Sequence, residues 1–238
     1  QYGLASQSGF IVITGETGVG KTILTQYILQ DIEDCEVGLI TNTHETFGDL
    51  LTWILNSLKV SHTTESKAER YQLFTDFVLN KYQQNRRVIL IIDEAQNINT
   101  QMLEELRLLS NINIGQDVML QVILVGQSEL AVKLTQPELM QFSQRISIAY
   151  NLTSLSFEET KSYIQHRLAI VKGNENIFDE MASAVIFYYS AGIPRIINNI
   201  CDLSLVFAFA DDKQIVDMET VLDVIKEKKY AETITELR

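Results

Sequence analysis

Residues 10–22 read Phe-Ile-Val-Ile-Thr-Gly-Glu-Thr-Gly-Val-Gly-Lys-Thr. The stretch begins with an apolar, β-branched run of strand length, and its final part matches the pattern G-x-x-x-x-G-K-[ST]. A short apolar run of this kind is typical of a strand that is buried on both faces of a parallel sheet. The stretch therefore predicts a strand, a phosphate-binding loop and the start of a helix, in that order.

Each residue type in this loop has an expected role in binding phosphate or Mg²⁺. Glycines at Gly15, Gly18 and Gly20 permit backbone angles that turn successive N–H groups toward an anion. Lys21 supplies a point charge to the β- and γ-phosphates, and the Thr22 hydroxyl is a hard oxygen ligand suited to Mg²⁺. A chance glycine-rich turn is the alternative, and the strand before and the helix after the loop disfavour it. We predict that ATP and Mg²⁺ bind at Gly15, Glu16, Thr17, Gly18, Val19, Gly20, Lys21 and Thr22.

A second apolar run, at residues 88–92, ends in Asp93 and Glu94. A buried parallel strand that ends in a carboxylate places that carboxylate at the edge of the sheet where the phosphate loop lies. We predict that Asp93 holds Mg²⁺ through the waters of the metal and that Glu94 is the general base for the attacking water, which together indicate ATP hydrolysis. The alternative for Glu94 is a residue that merely caps the next turn.

Three further residues are candidates for sensing or completing the reaction. Gln127 follows an apolar strand, so its amide is predicted to orient the water or contact the γ-phosphate; the alternative is a helix-start residue. Arg145 precedes the last predicted strand and is predicted to act as an arginine finger on a neighbouring subunit, the alternative being a surface ion pair. Arg195 begins a late helix and is predicted to report the γ-phosphate to that helix, the alternative being an arginine packed on the core.

Apolar patterning divides the chain into an α/β part and a helical part. The predicted strands are 10–14, 37–41, 87–93, 118–125 and 147–152; the predicted helices are 21–32, 46–58, 67–84, 100–110, 127–134, 156–171, 177–190, 193–210 and 216–229. Ser156 and Glu159 form the pattern of a capping box, and Pro194 suits a first helical turn. We therefore predict a P-loop NTPase core with a parallel sheet at 1–155 and a small all-helical lid domain at 156–238.

Composition limits the classes of partner. Hydrophobic residues make up 46% and charged residues 21% of the 238, which is ordinary for a globular protein. The formal net charge of −12 opposes approach to DNA, so a nucleic-acid partner is not expected. No apolar run reaches the roughly 18 residues of a membrane span. Because the chain opens with Gln1, we expect it to be a piece of a longer protein.

Five segments together resemble the AAA+ ATPase domain of the ExeA/GspA type from bacterial general secretion and related pilus systems. The segments are 15–22, 91–97, 125–130, 144–146 and 192–198. The most telling are Asp-Glu-Ala-Gln at 93–96 and Gly-Ile-Pro-Arg-Ile-Ile-Asn at 192–198. Transposition ATPases of the TniB/TnsC kind are similar at the same places.

The resemblance implies a partner class and a location. Secretion members are cytoplasmic ATPase domains that precede a membrane segment and a periplasmic peptidoglycan-binding region, and they help to assemble an envelope complex. This reading implies a homo-oligomer (a ring or a nucleotide-dependent dimer) whose partners are envelope secretion or pilus proteins. It implies a place at the cytoplasmic face of the bacterial inner membrane, with membrane association only through segments outside this chain.

Three functions remain open on the sequence. The first is an ATPase that drives assembly of a secretion or pilus complex, and the acidic charge favours it. The second is a regulatory ATPase of DNA transposition, which predicts retention on DNA with a steep dependence on salt. The third is a nucleotide-switched interaction module with little turnover, in which the bound nucleotide sets the affinity for a partner.

Overall fold

The computed structural model describes residues 9–30, 34–41, 43, 48–114 and 117–236. The chain divides into two compact units. The first unit contains the residues up to Thr17 together with Lys21–Leu152, and the second contains Thr153–Arg238 together with Gly18–Gly20. The predicted division into a nucleotide-binding core at 1–155 and a helical lid domain at 156–238 stays a prediction.

Parallel strands form the sheet of the first unit. The strands are β1 (Phe10–Gly15), β2 (Cys35–Ile40), β3 (Arg87–Ile92), β4 (Asn113–Ile114), β5 (Asp117–Val118), β6 (Leu120–Gly126) and β7 (Ile146–Leu152). The main sheet has the order β2-β3-β6-β1-β7, and all of its pairs are parallel, as predicted. Strands β4 and β5 form a separate antiparallel pair that was not predicted, because two-residue strands carry no alternating pattern.

The α-helices of the described residues are α1 (Lys21–Gln30), α2 (Leu50–Ser57), α3 (Lys67–Gln83), α4 (Thr100–Leu109), α5 (Ser128–Leu134), α6 (Met140–Ser143), α7 (Phe157–Ile170), α8 (Glu180–Ser190), α9 (Pro194–Ala210) and α10 (Met218–Glu236). Two 3₁₀ turns lie at Ala95–Asn97 and Pro137–Leu139. Every predicted helix has a counterpart. The predicted helix start at 46 lies outside the described residues, and the described helix begins at Leu50, after the N-cap Asp49.

The strand register brings the functional strand ends to one edge of the sheet. Thr14 pairs with Gly126 of β6 on one side and with Asn151 of β7 on the other. Ile92, the last residue of β3, pairs with Leu124 of β6. The carboxyl ends of β1, β3 and β6 therefore meet at the edge where the predicted site residues follow their strands.

Strand β3 explains why its sequence is an unbroken apolar run. Val88, Leu90 and Ile92 belong to the apolar core on one face of the sheet, whereas Ile89 and Ile91 belong to the core on the other face. All five side chains are at most 1% exposed. Burying each of them contributes roughly 1.5–3 kcal/mol, so the strand that precedes Asp93 is firmly fixed.

The helical unit begins with the predicted capping box: Ser156 and Glu159 each bond the backbone N–H of the other. The predicted start of α8 at residue 177 is wrong, and the helix begins at Glu180. The Asp179 carboxylate accepts a hydrogen bond from Ala182 N at 2.6 Å and caps the helix. Phe178 instead forms a parallel bridge with Val216, which holds the chain extended before the cap.

Candidate functional site

The loop between β1 and α1 holds a buried ammonium group. Lys21 is 8% exposed, and its Nζ donates hydrogen bonds of 2.8 Å to the carbonyl oxygens of Gly15 and Glu16. A buried cation needs such partners, because removing it from water is costly. The loop carbonyls therefore fix Lys21 at the base of the loop, beside the start of α1.

Two glycines of the loop adopt backbone angles that other residues rarely adopt. Gly18 has φ = 87° and Gly20 has φ = 103°. Within the second unit, the backbone N–H of Arg195 donates to Gly18 O at 3.2 Å, and a Cβ at Gly18 would lie 3.0 Å from Arg195 Cβ. Arg195 follows Pro194 in the first turn of α9, as predicted, and its side chain is exposed. Its role as a γ-phosphate sensor stays a prediction.

Thr22 and Asp93 place two hard oxygen atoms side by side. The Thr22 hydroxyl donates to Asp93 Oδ2 at 3.2 Å. Asp93 is 8% exposed, its Oδ1 accepts from Glu94 N at 2.9 Å, and its backbone N–H donates to Ile40 O at 2.8 Å. A hydroxyl and a carboxylate at this separation are ligands that suit Mg²⁺. The two residues therefore fit the predicted metal, which they would hold beside the phosphate loop.

Glu94 occupies a left-handed turn directly after β3. Its backbone has φ = 52° and ψ = 38°, a conformation that costs a residue with a side chain roughly 1–2 kcal/mol. The buried Thr43 donates to Glu94 O at 3.3 Å, and the Asp93 carboxylate accepts from Glu94 N. These two hydrogen bonds stabilise the turn at Glu94, where the chain leaves the direction of β3.

The carboxylate of Glu94 contacts two glutamine amides. Gln96 Nε2 donates to Glu94 Oε2 at 2.5 Å, and Gln127 Nε2 lies 3.4 Å from the same oxygen. Gln127 therefore lies beside the predicted base, while its role as a sensor stays a prediction. Gln96 was not predicted, although it lies within the Asp-Glu-Ala-Gln segment that carried the resemblance. No periodicity indicates where the side chain of a 3₁₀ turn points.

The turn that carries Gln96 is held in place by Lys133 of α5. The Lys133 ammonium donates to the carbonyl oxygen of Gln96 and, at 2.7 Å, to that of Ile98. Ile98 is fully buried and anchors the end of the turn in the core. The turn after β3 is thus fixed to the helix that follows β6.

Arg145 has a different environment from these groups. It is exposed, and its Nη1 donates to the buried hydroxyl of Ser110 at 3.2 Å. Among the described contacts, none joins Arg145 to the loop or to Asp93 and Glu94. A finger acts on another subunit, and this role of Arg145 stays a prediction.

Two further features are absent from the described part of the chain. No group of three or more His, Cys, Asp or Glu side chains in that part could hold a metal ion. No helix there is long and apolar enough to cross a membrane.

Comparisons with known proteins agree on the fold. Residues 4–134 match the family described as "AAA domain". "General secretion pathway protein A" of Aeromonas hydrophila is 36% identical over 211 residues, which cover 88% of this chain and 39% of that relative. The Aeropyrum pernix ORC2 protein (ADPNP-ADP complexes) aligns with a TM-score of 0.69 and 18% identity, over 95% of this chain and 64% of its own. Cdc6p of Pyrobaculum aerophilum aligns with a TM-score of 0.67 and 15% identity, over 92% and 60% of the two chains.

This chain spans 39% of the length of the secretion relative that it matches. The likeness to the two solved structures, at 18% and 15% identity, shows the fold alone.

Proposed function

Since this chain belongs to the AAA domain family, we propose that it binds Mg²⁺ and ATP at residues 15–22 and hydrolyses the ATP. One observation carries the proposal: the Thr22 hydroxyl lies 3.2 Å from the Asp93 carboxylate, and Glu94 is the next residue. A phosphate loop, two oxygen atoms that suit a metal ion and a carboxylate that can act as a base support the proposal. These are the parts that phosphoryl transfer to water requires.

Nucleotide binding would depend on the loop between β1 and α1. Backbone N–H groups of the loop and the N-terminal end of α1 attract the phosphates, and Lys21 adds a charge. Lys21 would exchange its bonds to Gly15 O and Glu16 O for phosphate oxygens. Thr22 and Asp93 would hold Mg²⁺, which neutralises charge on the phosphates when it is bound.

ATP hydrolysis would depend on Glu94 as the general base. A water oxygen forms a bond to the γ-phosphorus while the bond from that phosphorus to the β–γ bridging oxygen breaks. Glu94 accepts a proton from the water, and ADP and phosphate leave. Gln127 would orient the water, and Arg145 of a neighbouring subunit together with Arg195 would stabilise charge on the γ-phosphoryl group.

The biological role that we propose follows the secretion relative. The chain would act as a homo-oligomer at the cytoplasmic face of the bacterial inner membrane and drive assembly of a secretion or pilus envelope complex. The 36% identity to "General secretion pathway protein A" supports this role. The net charge of −12 disfavours the transposition alternative, since that charge opposes binding to DNA.

The binding proposal is tested by titrating fluorescent ATP into the wild-type chain and into Lys21→Ala, with Lys67→Ala as the control. Lys67 lies on α3 and pairs with Glu105, so its loss should leave affinity unchanged. We expect Lys21→Ala to weaken binding by at least about 100-fold, because the phosphates lose a charge-assisted contact. Equal affinity in Lys21→Ala and wild type contradicts the proposed phosphate site.

The biological proposal is tested by retardation of DNA across a salt series and by sedimentation with ADP or a non-hydrolysable ATP analogue. We expect no retention on DNA at physiological salt and a larger assembly with the ATP analogue. Retention that falls steeply with salt supports the transposition alternative instead. Normal assembly and partner binding in a variant without turnover supports the nucleotide switch.

A further inference from the structure

We propose that Gln96 is a positioning residue for the base: its amide holds the Glu94 carboxylate by one oxygen and leaves the other for the attacking water. The inference rests on the proposed hydrolysis and adds a residue to it. It starts from a short contact, the 2.5 Å hydrogen bond from Gln96 Nε2 to Glu94 Oε2. A hydrogen bond that ends on a carboxylate is stronger than one between neutral groups.

Both amides near the base use the same oxygen. Gln96 and Gln127 each direct Nε2 at Glu94 Oε2, at 2.5 and 3.4 Å. The described hydrogen bonds to this carboxylate end on Oε2, so Oε1 is the oxygen that is left to accept a proton. Two hydrogen bonds to Oε2 restrict rotation of the carboxylate and thereby restrict the direction of Oε1. The arrangement orients the base without occupying the atom that reacts.

The orientation of the Gln96 amide is determined by its two partners. Gln96 Oε1 accepts a hydrogen bond of 3.0 Å from the backbone N–H of Gln127, while its Nε2 faces the carboxylate. Reversing the amide would set its oxygen against the Glu94 carboxylate and its NH₂ against an N–H group. Only one orientation satisfies both partners. Gln96 therefore links the chain after β3 to the chain after β6.

The space around this amide depends on Gly126, the last residue of β6. A Cβ at that position would lie 2.9 Å from Gln96 Oε1 and 2.8 Å from Leu130 Cδ2. Such distances require a neighbour to move, and the end of a glutamine side chain is easily displaced. The absence of a side chain at Gly126 is thus what lets Gln96 reach Gln127 and Glu94 together.

The test compares two substitutions at Gln96 that keep its size. Gln96→Glu keeps an oxygen for the Gln127 N–H but replaces the donor with a carboxylate that repels Glu94. Gln96→Met removes both the donor and the acceptor. In both variants we expect kcat to fall about 10- to 100-fold, because displacement of a catalytic group lowers the rate by this order. We expect KM and the affinity for ATP to stay within about threefold of the wild type.

Two controls separate positioning from a purely structural effect. Gln84→Glu adds the same charge at an exposed position, where the amide donates a hydrogen bond to Asn80, and should keep wild-type kcat. In a Glu94→Gln background measured by single turnover, Gln96→Glu should lower the residual rate by less than about threefold, because residues that act as one unit are not additive. Equal losses in both backgrounds would assign Gln96 a structural role and overturn the inference.

The same experiment distinguishes the role of Gln96 from the assignment of Glu94 as the base. If Glu94→Gln abolishes turnover and Gln96→Glu keeps wild-type kcat, the hydrolytic assignment stands and the role of Gln96 is refuted. If Glu94→Gln keeps wild-type turnover, the assignment of the base is itself wrong, whatever Gln96→Glu does.

Discussion

The hydroxyl of Thr22 donates a hydrogen bond of 3.2 Å to the carboxylate of Asp93, although 71 positions separate the two residues. One lies at the start of the helix after β1 and the other at the end of β3, and the sheet brings them together. This contact joins the phosphate loop to the proposed catalytic carboxylates.

The first prediction concerns the metal. Thr22→Ala should raise the Mg²⁺ concentration for half-maximal ATP turnover by at least about 10-fold, because one hard oxygen ligand is lost. Thr22→Ser keeps the hydroxyl and should stay within about threefold of the wild type. A Mg²⁺ titration of the initial rate measures both, and an unchanged midpoint in Thr22→Ala would remove Thr22 from the metal site.

The second prediction concerns Gly126. Gly126→Ala should lower kcat about 10-fold with little change in KM, because the added methyl group displaces the Gln96 amide. Thermal unfolding of the same sample controls for the contact with Leu130. If kcat is unchanged in a folded Gly126→Ala protein, the close approach at this position does not matter for the reaction.

The third prediction concerns Arg145. In Arg145→Ala the specific activity should fall at least about 10-fold, as expected when a finger that stabilises transition-state charge is lost. Arg167→Ala, an exposed arginine on α7, is the matched control. Ser110→Ala removes the partner of Arg145 within the chain and should keep turnover.

Mixing shows whether Arg145 acts between subunits. Arg145→Ala retains the base and Glu94→Gln retains the finger, so a mixture of the two should recover activity at sites shared by one subunit of each kind. Absence of any recovery in a mixture shown to co-assemble contradicts a shared site.

The fourth prediction concerns acid stability of the helical unit. The backbone N–H and hydroxyl of Thr220 and the Lys213 ammonium lower the pKa of Asp217 from 3.8 to about 2. A carboxyl whose pKa is lower in the folded state stabilises the fold above about pH 4 and loses this contribution as the pH falls through 2. Solvent screens the partly exposed Asp217 carboxylate, so its contribution to the free energy of unfolding is below about 1 kcal/mol.

Urea unfolding at pH 4 and pH 2.5 checks this prediction. The free energy of unfolding should fall more between these values in the wild type than in Asp217→Asn. Asp202→Asn, which removes a charge from an exposed position on α9, should behave as the wild type. An equal fall in all three proteins would show that Asp217 does not contribute.

The sequence is informative where one signal determines the local structure. The apolar run before Asp93 predicts a strand because it is buried on both faces, and the glycines of the loop predict backbone angles that other residues rarely adopt. The helix start at Glu180 was missed because a bridge between Phe178 and Val216 depends on residues far apart in the chain. Gln96 was missed because its partner Gln127 comes from another strand end.

ATP binding and ATP hydrolysis, measured side by side in the wild type and in Glu94→Gln, decide whether Glu94 is the base. We expect the variant to bind ATP with an affinity within about threefold of the wild type, because the loop and the metal ligands are intact. We expect hydrolysis to fall at least about 100-fold, the contribution expected of a general base. Normal turnover in Glu94→Gln, with binding retained, would contradict the assignment of Glu94 and with it the proposed mechanism.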